Sequence, residues 1–255
     1  MKWSGLFFCA VMIGLASCAQ IQSMLQPSAP DRAGIEWITQ APGLEWAQLS
    51  GPGALPGRVT MLRISPATHR FQVHYRAGDP LTSAEWRAEL PAAAALMNAN
   101  FFDDEGLALG WLVQDGNPLV AANPRFGGAF IEDQGKMRVV AHPADTANVR
   151  QATQGFPTLV RAGNVARRLD AVTLARRSVI AEDRQGRIYW IQIGGLGSTL
   201  AGLANWLVEQ PLALVNAVNM DGGGSSFLLS SAVEELQIHS WDAVPAVWAI
   251  YPQNR

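Results

Sequence analysis

RIYWIQIGGLGSTLAGLANWLVEQPLALVNAVNMDGGGSS, residues 187 to 226, is the stretch whose reading decides the fold. It opens with an apolar, β-branched and aromatic run, RIYWIQI, which reads as a buried strand. The glycine-rich GGLGS follows, and then STLAGLANWLVEQ, where Ser198 or Thr199 caps a helix with Leu200, Leu203, Trp206 and Leu207 on one face. Pro211 ends that helix, and LALVNAVN reads as a second buried strand. Two strands joined through a helix have the order of a crossover unit, which sets them parallel and brings both C-terminal ends to one edge. Asp221 and the GGLGS loop would then lie near each other.

The stretch ends in MDGGGSS, Met220 to Ser226, and the apolar FLL comes next. A hairpin turn needs only Asp-Gly or Gly-Gly. Three consecutive glycines carry an extra entropic penalty, about 0.5–1 kcal/mol each relative to alanine. That expense predicts a functional loop. Gly222, Gly223 and Gly224 let the backbone approach a ligand, and Asp221 is held rigidly behind a buried strand.

Outward from this unit, short apolar or alternating runs are separated by turn residues. RVTMLRI (58 to 64) and HRFQVHY (69 to 75) flank SPAT and predict a hairpin. GGAFIED with KMRVVA, and RRSVIAED with RIYWIQI, predict two more. TSAEWRAEL carries Thr82 and Glu85 at capping-box spacing and stops at Pro91, so it predicts a helix. A third helix is expected over residues 145 to 154. The fold class is α+β, a mixed and largely antiparallel sheet with a few packed helices in a single domain.

The N-terminus reads differently. Met1 and Lys2 precede the apolar LFFCAVMIGLA, and Leu15, Ala16, Ser17 and Cys18 follow the pattern of a bacterial lipobox. Residues 1–17 are read as a lipoprotein signal peptide, with lipidation at Cys18. Residues 18–33 are read as a polar tether and 34–255 as the folded domain. Ala19 after Cys18 points to the outer membrane of a Gram-negative cell, facing the periplasm. The lipid at Cys18 would be the only membrane attachment.

Of the 255 residues, 49% are hydrophobic and 16% charged, enough to bury a sizeable core. The 19 basic and 21 acidic residues give a net charge of −2, and the basic ones are scattered. No nucleic-acid partner is expected. With Cys9 removed in the signal and Cys18 lipidated, no disulfide framework is expected. GGLGST lacks the Walker lysine, and His69, His74, His142 and His239 show no metal-ligand spacing. Neither cofactor nor metal is therefore assigned.

Other segments carry chemistry-bearing residues. In MNANFFDDEGLALGWLVQDG (97 to 116), Asn98 and Asn100 suit sugar hydroxyls, since asparagine both donates and accepts hydrogen bonds. Asp103, Asp104 and Glu105 suit an acidic surface turn, with a hard cation as the other reading. Trp111 is open between sugar stacking and the core. Arg177, at the start of an apolar strand, presents a planar charged fork suited to phosphate, or is simply a strand-end arginine.

Taken in order, these segments resemble the phosphodiester glycosidase family. Asn98 to Phe102 is similar to its Asn-Gly-Gly-Phe-Phe segment, Pro157 to Gly163 to its Pro-x-Leu-Val-x-x-Gly, and Arg177 to Ala181 to its Arg-Thr/Ser-Ala-Ile-Gly. Gly197 to Leu200 resembles its Gly-Leu-Ser-Leu, and Asn219 to Ser226 its Asn-Leu-Asp-Gly-Gly-Gly-Ser-Ser. Ala99 and Asn100 replace two glycines, and Ala181 replaces another. Ser240, Trp241 and Asp242 stand where a Glu-Arg pair is often found.

The resemblance implies hydrolysis of a sugar 1-phosphodiester at the anomeric carbon, in envelope or extracellular glycans. It implies Asp221 as catalytic carboxylate and Arg177 on phosphate. Asn98, Asn100 and Thr158 would contact substrate, with Gly222, Gly223, Gly224, Ser225 and Ser226 as the close-fitting loop. The departures keep a second reading open, a non-catalytic glycan-binding lipoprotein of the same fold.

Overall fold

A computed structural model describes residues 34–53, 57–140, 148–231, 233 and 236–253. The expected signal peptide, Cys18 and tether lie outside the described residues. Residues Ile35–Arg255 make one compact unit. Its first part holds β1 (Ile38–Ala41), β2 (Leu44–Ser50), β3 (Arg58–Ile64), β4 (His69–Tyr75), helix α1 (Ser83–Glu89) and β5 (Ala95–Asn98). There follow β6 (Phe101–Phe102), β7 (Ala108–Leu109), β8 (Leu112–Gln114), β9 (Asn117–Val120), β10 (Gly128–Asp133), β11 (Lys136–Val140) and β12 (Val149–Gly155). The last part holds β13 (Thr158–Arg161), β14 (Asn164–Val165), β15 (Ala175–Asp183), β16 (Ile188–Ser198), helix α2 (Leu200–Glu209) and β17 (Leu214–Asn219). It closes with β18 (Leu228–Ser230), β19 (Gln237–Ile238) and β20 (Ala246–Pro252).

The fold is mostly antiparallel sheet with two α-helices among the described residues, compatible with the α+β expectation though richer in strand. An eight-stranded sheet runs in the order β1-β2-β3-β16-β15-β17-β13-β14. Two five-stranded sheets run β11-β10-β12-β8-β9 and β19-β18-β5-β20-β4. β16 and β17 both pair antiparallel with β15, which lies between them. They are therefore parallel to each other, as the crossover order predicts, with one strand interposed.

The main core lies between the sheets, where Leu62, Ile180, Trp190 and Val218 of the large sheet meet Phe71, Met97 and Trp248. On the other face of the large sheet, Leu203, Ala204, Trp206 and Leu207 of α2 pack on Met61, Val179 and Ile191. Strand β16 is thus buried on both faces, which is why its sequence runs apolar without alternation. Both helix starts form as expected. Thr82 makes a full capping box with Glu85, and the Thr199 hydroxyl accepts from the Gly202 amide at 3.0 Å.

The hairpins β10–β11 and β15–β16 form, but 58–64 and 69–75 do not pair. β3 pairs with β2 and β16, whereas β4 pairs with β20. Alternation shows that one face is buried and not which strand is the neighbour. Here Leu62 and Ile64 meet Phe71 and Val73 across the core. The helix expected over 145–154 is also corrected: residues 149–155 are β12, and 145–147 lie outside the described residues. Gln151, Thr153 and Gln154 gave that segment its polar look, yet all are buried acceptors for Val73 N, Trp248 Nε1 and Trp111 N.

Trp248 joins β20 to this core. It is fully buried, its ring centroid lies 4.6 Å from that of Phe130, and its indole donates to Thr153 Oγ1 at 2.6 Å. Trp248→Ala should lower unfolding free energy by about 3–5 kcal/mol, read from urea denaturation.

Candidate active site

The strand order fixes what meets at one edge of the large sheet. Because neighbours alternate in direction, the C-terminal ends of β16 and β17 lie beside the N-terminal ends of β15 and β13. Crossing the edge from β16 to β13, the chain presents Leu196, then Arg176 and Arg177, then Asp221, then Phe156 to Thr158. Adjacent strands are about 4.8 Å apart, so this row spans roughly 14 Å, on the scale of a sugar phosphodiester.

Asp221 is fixed from several sides. The Met220 amide donates to Ser178 O at 2.8 Å and the Asp221 amide to Ala99 O at 3.2 Å. The Asn98 side-chain amide donates to Asp221 O at 2.7 Å. The carboxylate accepts from the Gly222 amide at 2.8 Å and from Ser225. Burial nevertheless raises its pKa to about 6, and the nearby Asp242 charge adds to the rise. Desolvation outweighs the hydrogen bonds that favour the ionised form.

Each glycine of the loop has its own reason. A β-carbon at Gly222 would stand 2.9 Å from the Arg176 carbonyl oxygen. Gly223 sits at φ +61°, a left-handed conformation that side chains disfavour. A β-carbon at Gly224 would collide with the Asp242 carboxylate. Ser225 and Ser226 are buried beneath the turn.

Around this loop stand two arginines. Arg177 is half-buried, and its Nε donates to Ser198 O at 3.1 Å and its Nη2 to Thr173 O at 2.9 Å. Arg176, one residue earlier, points to the opposite face. It is only 6% exposed, its Nη2 donates to Ser226 O at 2.6 Å and His239 O at 2.9 Å, and its guanidinium lies 4.6 Å from the Trp241 ring centroid. Burial lowers the Arg176 pKa, an effect the Asp242 charge opposes.

The structure gives some predicted residues a different duty. Asn98 is fully buried, and its Oδ1 accepts from Ser178 Oγ at 2.7 Å and Phe227 N at 3.1 Å. Its amide is engaged on the protein, so it positions Asp221 and does not face a sugar. Asn100, 2% exposed, donates to Gly110 O and Trp111 O and so holds the segment after β5. Thr158 donates to Gly127 O at 2.8 Å and lines a cavity of about 460 Å³ with Phe156 and Arg161. Trp111 is a core residue packed with Val113 and Ile131. Asp103 to Glu105 form a surface turn in which Asp103 accepts from Leu107 N at 2.8 Å.

Sequence reasoning missed Arg176 and Asp242. Period-two alternation from Ile180, which faces the main core, and Ser178, which meets Asn98, puts Arg176 on the side of the sheet that carries Asn98. Asp242 offers no such local signal: it is brought in when the amides of Trp241 and Asp242 both donate to Gly224 O. Phe126 extends the edge, lying 5.6 Å from Phe101 and stacked 5.7 Å from Phe156, centroid to centroid. Four buried polar atoms here, Asn100 Oδ1, Arg176 Nη1, Asn219 Oδ1 and Ser226 Oγ, have no protein partner. Such atoms are costly to leave unpaired. A second cavity of about 460 Å³ lies at the far end of β15 against Glu182, away from this carboxylate and its arginines.

A family model described as phosphodiester glycosidase matches residues 92–251. No curated protein sequence matches the chain. Among solved structures, one is the catalytic domain of zebrafish N-acetylglucosamine-1-phosphodiester α-N-acetylglucosaminidase, auto-inhibited by its pro-peptide. It superposes with a TM-score of 0.69 at 16% identity, over 86% of this chain and 87% of that one. A hypothetical protein from Synechocystis gives 0.67 at 17% identity, over 89% of this chain and 64% of that one. A putative exported protein from Burkholderia pseudomallei gives 0.58 at 14% identity, over 77% and 74%. At these identities the superpositions establish the fold.

Two outcomes are expected from this geometry. Gly224→Ala and Gly223→Ala should each cost about 1 kcal/mol or more in thermal unfolding. Adding Asp242→Ala should recover the first loss and not the second. For Asp221 the folded pKa lies above the unfolded one, so burying the ionised form opposes folding at high pH. Asp221→Asn should therefore gain Tm relative to wild type as pH rises from about 4 to 6, then hold that gain.

Proposed function

The chain belongs to the phosphodiester glycosidase family, and from that premise we propose that it hydrolyses sugar 1-phosphodiesters with Asp221 as the catalytic carboxylate. One observation carries this reading: a carboxyl with its pKa raised to about 6 stands on a glycine loop beside two arginines at one sheet edge.

The chemistry suits such a site. A sugar 1-phosphodiester breaks at the bond between C1 and the bridging phosphate oxygen, and the phosphomonoester leaves with the electron pair. A phosphate is already a good leaving group, so charge neutralisation matters more than a strong general acid. Arg177 supplies a guanidinium on one face of β15, while the buried Arg176 holds the loop from beneath through Ser226 O and His239 O. The ionised Asp221 takes a proton from the attacking water or steadies the oxocarbenium-like centre, so that water oxygen ends on C1 as the free sugar.

The row order supports a reading of the rest of the substrate. The sugar lies toward Thr158, Phe156 and the 460 Å³ cavity, where an aromatic face suits a pyranose ring. The phosphate sits at Arg177, and the aglycone continues toward β16. With the lipobox at Leu15 to Cys18, we place the enzyme on a lipid anchor in the bacterial envelope, outer membrane facing periplasm. Its substrates there are envelope or extracellular glycosyl phosphates.

The test uses the methyl ester of N-acetylglucosamine-1-phosphate, the sugar named in the zebrafish enzyme. The kcat/KM should rise as pH increases through about 6 and level above it, because the ionised carboxylate is the active form. Asp221→Asn should lower kcat at least 100-fold, and Arg177→Ala should lower kcat/KM. Full turnover in both variants, with folding intact, would sink the assignment. Binding of the ester by wild-type protein without product release would favour the non-catalytic glycan binder.

A further inference from the structure

The described large apolar side chains that are more than half exposed number four besides two at 50%, and all four flank the arginines: Val172 at 85%, Trp241 at 75%, Leu196 at 67% and Leu174 at 60%. Their placement follows from backbone contacts. Arg177 donates to the carbonyl of Thr173, between Val172 and Leu174, and to Ser198 at the end of the strand that carries Leu196. Ala175 pairs with Ser198, and Gly197 closes on Ala175 so tightly that a β-carbon there would overlap it. Leu174 and Leu196 are thus carried on adjoining chain ends. Trp241 lies over Arg176, and its amide donates to Gly224 O at 2.7 Å.

Exposed leucines scattered singly need no explanation, but four gathered at the mouth of a charged site do. Exposed apolar groups gathered beside a guanidinium suit a partner with both characters. We propose that these residues seat the apolar chain of a lipid-borne sugar phosphodiester, its phosphate at Arg177 and its hydrocarbon along Leu174, Leu196, Val172 and Trp241. This rests on the hydrolase reading and gives it a substrate class: an amphiphile whose aglycone is a long alkyl or prenyl chain. The charge order matches. A phosphodiester carries its single negative charge between sugar and chain, and the edge carries its cations between the sugar-side cavity and the apolar rim. The lipobox at Leu15 to Cys18 agrees, since it would hold the domain at the surface where such lipids reside.

The experiment separates the chain from the chemistry. Octyl phosphate and methyl phosphate, the products expected from the two matching esters, are titrated into wild-type protein by calorimetry. Octyl phosphate should bind at least tenfold more tightly, and Leu174→Ser/Leu196→Ser should bring that ratio to about 1 with the thermal transition retained. In turnover of octyl and methyl N-acetylglucosamine-1-phosphate, kcat/KM should favour the octyl ester by a similar factor in wild type and lose the preference in the variant. Equal binding of the two phosphates overturns the lipid seat, while turnover of both esters alike leaves the hydrolase standing. Chain-dependent binding without turnover of either ester keeps the seat and removes the hydrolase. A ratio that survives in the double variant places the chain elsewhere and overturns the assignment.

Discussion

A single buried side chain ties the candidate site to the fold. Asn98 belongs to β5 in one five-stranded sheet, yet it donates to the backbone of Asp221 and accepts from Ser178 of the eight-stranded sheet. It also accepts from Phe227, at the far end of the glycine loop. Two sheets and both ends of the loop are thereby referred to one amide. In a fully buried place each of these hydrogen bonds is expensive to leave unmade. The loop therefore has one geometry, and the position of the Asp221 carboxyl follows from it.

That geometry runs against stability at several points. Burial raises the Asp221 pKa to about 6, so the ionised form is held at a disadvantage at neutral pH. Asn100 Oδ1, Arg176 Nη1, Asn219 Oδ1 and Ser226 Oγ are also buried without protein partners. A chain selected for stability alone would have an ordinary turn there. Conflicts of this kind concentrate where a protein has work to do.

Much of the fold was legible because its strongest signals are local. The capping box at Thr82, the α2 face and the β15–β16 hairpin all follow from residues within a short window. What failed was non-local. Residues 58–64 and 69–75 read as strands, but 58–64 pairs with the preceding β2 and the distant β16, and 69–75 with β20, more than a hundred residues away. β12 hid because its polar residues are buried acceptors, and nothing near them shows that Trp248 or Val73 will come to meet them. The site divides the same way. Asp221 and the glycines announced themselves by the expense of the sequence, whereas Asp242 arrives by tertiary contact. Asn98 was read as a contact for sugar hydroxyls, and its side chain is engaged on Asp221 O, Ser178 Oγ and Phe227 N, since an asparagine suited to hydroxyls is equally suited to backbone groups.

The sheet order explains why one edge gathers so much chemistry. Interposing β15 between β16 and β17 lets two strand ends and two strand beginnings converge, each delivering a different kind of group. Strand ends are where the regular ladder stops and backbone N–H groups and side chains become free to face a ligand. Because neighbouring strands keep a fixed spacing, the order of strands becomes an order of binding functions: apolar, cationic, acidic, aromatic. A substrate that satisfied only one of these would leave most of the row unused. A molecule of the proposed kind, with a ring, a negative charge and a hydrophobic tail in that sequence, would use all of it without moving any strand.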